Sequence, residues 1–297
     1  KLNIVLYAYG KVLVTDAGNY PYDSSEWRRY VLSTRAHNTI RVDGQDQRQQ
    51  GKPRQQYVVE TPLPHTWINT DAFDYASAGY WEGYGPQFSA RWSIPAEEAD
   101  RAVTHYRKIL FVKPDFWIVT DFLLAADDAE HEAESLFHLD VPAAEAHGHV
   151  VRSIDAEGPN LAIHVAGLTP LRTEIVCGQT EPEVQGWIPR GGPYECQPIP
   201  TAVFRTRWKG ITALTYVLYP LAPEERDPVI SLEKIEVNSD ASTTICPAIG
   251  FRLSLANGRA FLYAQRHGKT GVMRWQDALT GSAYESIGEI ALIDLQG

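Results

Sequence analysis

Cysteine is scarce in this 297-residue chain: there are three, Cys177, Cys196 and Cys246, with no CxxC spacing. An odd number so spaced excludes a disulfide framework and a cysteine-type zinc site. Long apolar runs are also missing. No stretch reaches 18 residues, which excludes a membrane-spanning helix, and the opening Lys1-Leu2-Asn3-Ile4-Val5-Leu6 has neither the basic flank nor the cleavage site of a signal peptide. Basic charge is short, with 27 Lys and Arg against 37 Asp and Glu and a net charge of -10. That balance argues against nonspecific nucleic-acid binding and, at face value, against any anionic ligand. No segment sustains a 3.6-residue period, so crossover helices and a parallel sheet are not expected.

What is present is a series of short strand-like runs rich in β-branched and aromatic residues. Examples are Leu2 to Tyr9, Lys11 to Thr15, Asn38 to Val42, Tyr57 to Glu60, Thr104 to Val112, Phe116 to Thr120, Leu161 to Val165, Thr201 to Arg207 and Ile211 to Leu218. Two hairpins stand out, one turning at Lys113-Pro114-Asp115 and one at Asn257-Gly258. A chain this long buries roughly 75% of its unfolded surface and needs neither disulfide nor metal to stay folded. The reading is all-β: one large antiparallel β-sandwich domain over residues 1–297, with long aromatic-rich or Gly/Pro-rich loops at 16–37, 61–95 and 178–200. The start without Met, directly in a strand-like run, suggests a piece of something longer.

Charge is distributed unevenly. Between Arg28 and Arg54 there are seven cations against two anions, a local balance of +5, whereas Asp121 to Glu145 holds eight acids and no Lys or Arg. A local basic face can attract an anion to an acidic molecule, although two solvated faces give the same pattern. The densest chemistry lies between Asp16 and Thr39, with Asp16 at a strand end, Tyr22 and Tyr30 in a loop, and His37 entering the next strand. Tyr and His are proton carriers, and Asp and His are zinc ligands, but the pattern alone equally fits a turn cap and a backbone-bonded histidine. His105, His138 and His164 lie in strand patterns and read as satisfied sheet histidines, while His131, His147 and His149 fall in polar connections.

Lys1 to Lys11, Val14-Thr15-Asp16-Ala17-Gly18, Arg35-Ala36-His37-Asn38-Thr39-Ile40-Arg41-Val42-Asp43-Gly44, and the later runs His105 to Asp121 and Leu136 to Leu139 together resemble the heparinase II/III superfamily of polysaccharide lyases. The resemblance implies an N-terminal α/α-toroid domain, absent from this chain, followed by the sandwich, with an active site between them. It implies β-elimination on an anionic uronate oligo- or polysaccharide; from the charge balance and the lack of a long apolar run, neither a nucleic-acid nor a membrane partner is expected. Among zinc-binding members, Asp16 and His37 match two of the three Zn2+ ligands. His37 is the first catalytic candidate, with Tyr22 and Tyr30 behind it. Arg28, Arg35, His65, Trp67, Trp187 and Arg190 are substrate-contact candidates, the aromatics by stacking on sugar and the arginines by holding carboxylates. The likeness leans towards alginate or oligoalginate lyases. Heparin or heparan sulfate is the alternative substrate, and a noncatalytic carbohydrate-binding or supporting sandwich is the alternative class.

Overall fold

The run Phe116-Trp-Ile-Val-Thr-Asp-Phe-Leu-Leu-Ala125 is apolar or aromatic on both alternating faces, and a strand of that kind needs cover on both sides. A computed structural model describes residues 1–47, 65–86, 99–240, 247–268 and 271–296 and supplies that cover. The strand Phe116–Ala125 lies inside an eight-stranded sheet in the order Ala143–His147, Val150–Ile154, Asn160–Gly167, Ile211–Leu221, Phe116–Ala125, Val103–Val112, Phe73–Tyr80, His65–Asn69. All of its pairings are antiparallel. On one face Val119, Ile163, Leu214 and Tyr216 pack on Phe137, Ala202 and Phe204. Those belong to a four-stranded sheet ordered Leu171–Val176, Thr201–Trp208, His131–His138, Ile40–Val42. On the other face Leu110, Phe116, Ile118 and Val217 meet Phe251, Leu253, Phe261 and Tyr263, from a second four-stranded sheet of Val229–Ile235, Ala248–Leu255, Ala260–Arg266 and Ile290–Asp294. The antiparallel sandwich therefore has three layers. Each fully buried large apolar side chain contributes about 1.5–3 kcal/mol.

Both expected hairpins form. Val112 pairs with Phe116 across Lys113-Pro114-Asp115. Ser254 pairs with Ala260 across the Asn-Gly turn, where Gly258 sits at φ +88° in the left-handed region that favours glycine. The three loop expectations need correction. Residues 16–37 contain a helix, Glu26–Leu32, capped by the Ser25 hydroxyl accepting from Arg28 N–H, and a 3₁₀ turn, Thr34–Ala36. Seven residues are too few to show a helical period. Within 61–95 the described residues form His65–Asn69, Phe73–Tyr80 and Tyr84–Gly85; Phe-Asp-Tyr-Ala-Ser-Ala-Gly-Tyr is small-residue-rich and hides its strand character. Residues 178–200 include the pair Trp187–Pro189 and Cys196–Pro198. His131 is not in a connection either: it opens a strand, with Nδ1 on Asp43 (2.7 Å) and Nε2 on Asp127 (2.9 Å). The run Tyr57 to Glu60 lies outside the described residues.

One buried cluster ties the central sheet to the chemistry-rich segment. Arg107 Nε and Nη2 donate to the two oxygens of Asp121 at 2.7 and 2.8 Å, and its Nη1 donates to Leu2 O (2.7 Å) and Asn38 O (2.5 Å). His105 Nε2 adds a third contact to Asp121 at 2.8 Å. Burial would raise the Asp121 carboxyl, but Arg107 and His105 outweigh it and hold the group well below the usual carboxylate range.

Candidate active site

Asp16 follows the strand Lys11–Val14, and His37 ends the 3₁₀ turn before Ile40–Val42. Thr15 brings them together: its N–H donates to His138 O (2.9 Å), and its carbonyl accepts from Asn38 Nδ2 (2.6 Å). The result is a hydrogen bond of 2.7 Å between His37 Nδ1 and Asp16 Oδ2, with Gly18 N–H donating to Oδ1 at 2.8 Å. Burial pushes the Asp16 carboxyl up, but the hydrogen bond and charge of His37 bring it below its ordinary value. The carboxylate makes Nδ1 the donor, so the neutral imidazole keeps its lone pair on Nε2. Both side chains remain partly open, 21% for Asp16 and 26% for His37. This is the arrangement of a base oriented by a carboxylate.

Behind the pair sits a layer that sequence reasoning treated as sheet packing. His138 is buried; its N–H donates to Asn38 Oδ1 (2.7 Å), its Nδ1 to the same oxygen (3.0 Å), and Gln185 Nε2 lies 3.4 Å from its Nε2. Burial, reinforced by the neighbouring His37, pushes its pKa down to about 3. Neutral His138 thus supports Asn38, which also receives Arg107 on its carbonyl. In the Ala-His-Asn triplet, His37 faces outward and Asn38 is structural. The triplet was the available signal for Asn38; nothing local marked Gln185, which reaches Arg35 O (3.2 Å) from 150 residues away.

The 178–200 segment joins this wall. Ala17, Tyr20, Tyr30, Val31, Ala36 and Val184 form one apolar cluster with Trp27, Trp187 and Cys196 packed against it. Tyr30 is buried, and its hydroxyl bonds Trp187 O at 3.2 Å; burial pushes its pKa to about 12. Its hydroxyl is part of the wall. Tyr22 is 76% exposed, its ring 4.3 Å from the Arg28 guanidinium. Arg28 is buried and donates to Tyr20 O (2.5 Å) and Pro21 O (3.2 Å), which shapes the loop. Arg35 is buried against Glu183 at 2.9 Å. Trp187 meets Trp27 edge-on at 4.8 Å and donates Nε1–H to Gln179 O. Arg190, half-exposed, pairs with Asp140 at 2.9 Å. His65 and Trp67 are not brought to this wall: they lie on the edge strand of the eight-stranded sheet, where His65 lines a separate cavity and Trp67 is 69% exposed.

The charge asymmetry also resolves differently from its sequence appearance. Arg41 bonds Glu134 and Glu183, Arg205 bonds Glu134, Arg207 bonds Glu132, and Asp121 is internal. The two segments are thus partly neutralised, by each other at Arg41–Glu134 and otherwise by Glu183, Arg205 and Arg207. Arg48, Lys52 and Arg54 lie outside the described residues. As for zinc, Asp16 and His37 supply two donors, and no group of three His, Cys, Asp or Glu among the described residues can hold a metal ion. Two donors do not fit a zinc centre on their own.

The site is thus an imidazole oriented by a carboxylate beside an aromatic wall, at the rim of an antiparallel sandwich. The heparinase II/III-like C-terminal family matches residues 1–167, more than half of the sequence, and the chain belongs to that family. No curated protein matches. Among solved structures, a mutant of heparan sulfate lyase HepC from Pedobacter heparinus superposes with a TM-score of 0.59 at 17% identity, covering 88% of this chain and 35% of that one. A heparinase III (the BT4657 gene product) gives 0.61 at 13% identity, covering 89% and 36%. At these identities the likeness is one of fold. The chain spans about a third of the length of these structures.

Proposed function

We propose that this chain forms the sandwich part of a polysaccharide lyase acting on a uronate-containing glycan by β-elimination. The observation that carries the reading is the Asp16–His37 pair, an oriented and partly open imidazole within the family-matched segment. In such a reaction the substrate carboxylate is neutralised, a base removes the C5 proton, and an acid protonates the departing O4. His37 Nε2 takes the role of proton carrier, with Asp16 fixing its tautomer and stabilising the imidazolium. Donors preorganised at the developing enolate contribute about 3–4 kcal/mol each in sites of this type.

A heparin- or heparan-sulfate-type substrate is the favoured one. Lyases of that kind share this fold, whereas the alginate lean of the sequence draws no support from the comparisons. The test is incubation of the complete protein with heparan sulfate, heparin and alginate while following the ultraviolet absorbance of the unsaturated product. A rise with heparan sulfate or heparin is expected; silence with every uronate polymer defeats the lyase reading and favours a noncatalytic sandwich. Zinc at Asp16 and His37 requires a further ligand from beyond the described residues. Metal analysis checks it: zinc present in the protein and lost on Asp16→Ala supports such a centre, and metal-free active protein dismisses it.

A further inference from the structure

The second chemically rich place in the molecule lies on the opposite face of the central sheet. Arg107 points towards Asn38, so its neighbours Tyr106 and Lys108 point the other way. There they help line a cavity of about 420 Å³, together with Thr66, Ser77, Trp81 and His267, a size in the usual range for small-ligand sites. Gly79 pairs with Tyr106 in the ladder. A Cβ at Gly79 would stand 2.7 Å from Tyr106 Cε1 and 3.0 Å from Trp81 Cζ3, so the missing side chain leaves room for both rings over the sheet. The His267 ring lies 4.3 Å from the Tyr106 ring, tilted by 58°. Trp81 remains 45% exposed. The lining thus joins aromatic faces to the hydroxyls of Thr66 and Ser77.

The lysine and the carboxylate among the described lining residues are already engaged. Lys108 Nζ donates to Arg266 O (2.7 Å) and His267 O (3.0 Å) and lies 3.5 Å from Glu289 Oε2. Glu289 Oε1 in turn accepts from the Tyr75 hydroxyl at 2.5 Å. Burial, followed by the nearby Lys108, lowers the pKa of His267, which keeps that ring neutral at pH 7. Among the described residues, no arginine lines the cavity. Among the described lining residues the lysine is committed, so a sulfate or carboxylate finds no open ammonium or guanidinium there, whereas a sugar ring offers an apolar C–H face for the indole and hydroxyls for the polar rim.

We propose that this cavity is a second glycan-binding site, specific for a neutral pyranose ring stacked on Trp81, on the face of the sheet opposite Asp16 and His37. It does not rest on the elimination chemistry, because it is read by binding alone. The experiment is saturation-transfer NMR and tryptophan fluorescence titration of the protein with cellotetraose and chitotetraose, with a sulfated heparin tetrasaccharide as the charged comparator. Saturable binding of at least one neutral tetramer is expected, unchanged in His37→Ala and weakened at least fivefold in Trp81→Ala. Thr66→Trp, on an edge strand where the larger side chain projects into the cavity, should block binding while leaving the fold intact. Neutral tetramers that fail to bind, or that bind equally well to both variants, overturn the site. A heparin tetrasaccharide that alone depends on Trp81 overturns its neutral specificity.

Discussion

His37 owes its orientation to one neighbour and its position to another. Asp16 fixes the proton on Nδ1, and Asn38, stitched to Ile4, Thr15 and His138, fixes the backbone that carries the ring. His37→Ala should therefore lower the lyase rate by about 10²–10⁴-fold without changing the melting temperature. Asp16→Asn should give a smaller loss with the same melting curve, and unfolding of either variant would move the residue from chemistry to structure. Asp121 is the contrasting case. Asp121→Asn leaves Arg107 buried without its counter-charge and takes an acceptor from His105, and a loss of about 3–5 kcal/mol in denaturant unfolding is expected.

The helix Glu26–Leu32 shows how an element too short to announce itself can still position a wall. Its Ser25 cap is reinforced by Asp23, whose Oδ1 takes both the N–H (3.0 Å) and the hydroxyl (2.7 Å) of Ser25. Ser25→Ala should cost about 1 kcal/mol in chemical unfolding, and it should alter the fluorescence of Trp27, which sits beside Trp187. Legibility followed the same logic of length and period. The strand Val103–Val112 was readable nearly end to end because its pattern runs for ten residues, whereas Phe116–Ala125 was read only as far as Thr120. The strand Phe73–Tyr80 was not readable, because its Ala, Ser and Gly carry little β signal. At the site, Asp16 and His37 were singled out by the family resemblance rather than by spacing, and the structure brings the two together. Gln185 and the cavity around Trp81 were not, because both arise from contacts between residues more than a hundred positions apart.

For the whole molecule, the net charge of -10 says less than where the charges are paired. Asp121 and Asp227 are both held below the ordinary carboxylate range: burial raises each, and the opposing partners, Arg107 and His105 for one and His164 and Arg152 for the other, prevail. Carboxylates depressed in the folded state stabilise it above their unfolded value of about 3.9 and lose that contribution as pH falls through and below it. Melting temperature should hold from neutral pH down to about pH 4 and then drop. Asp227→Asn should flatten that acid limb, and an unchanged limb would assign acid unfolding to other carboxylates. Arg107 has a consequence on another axis, that of local opening. Because one guanidinium spans residues 2, 38 and 121, the segment bearing Asn38 cannot lift away without leaving a buried Arg107 N–H without its acceptor. The amides of Asn38 and His138 should then exchange with deuterium only through global unfolding, at protection equal to that of the central strands, although they lie next to an open rim.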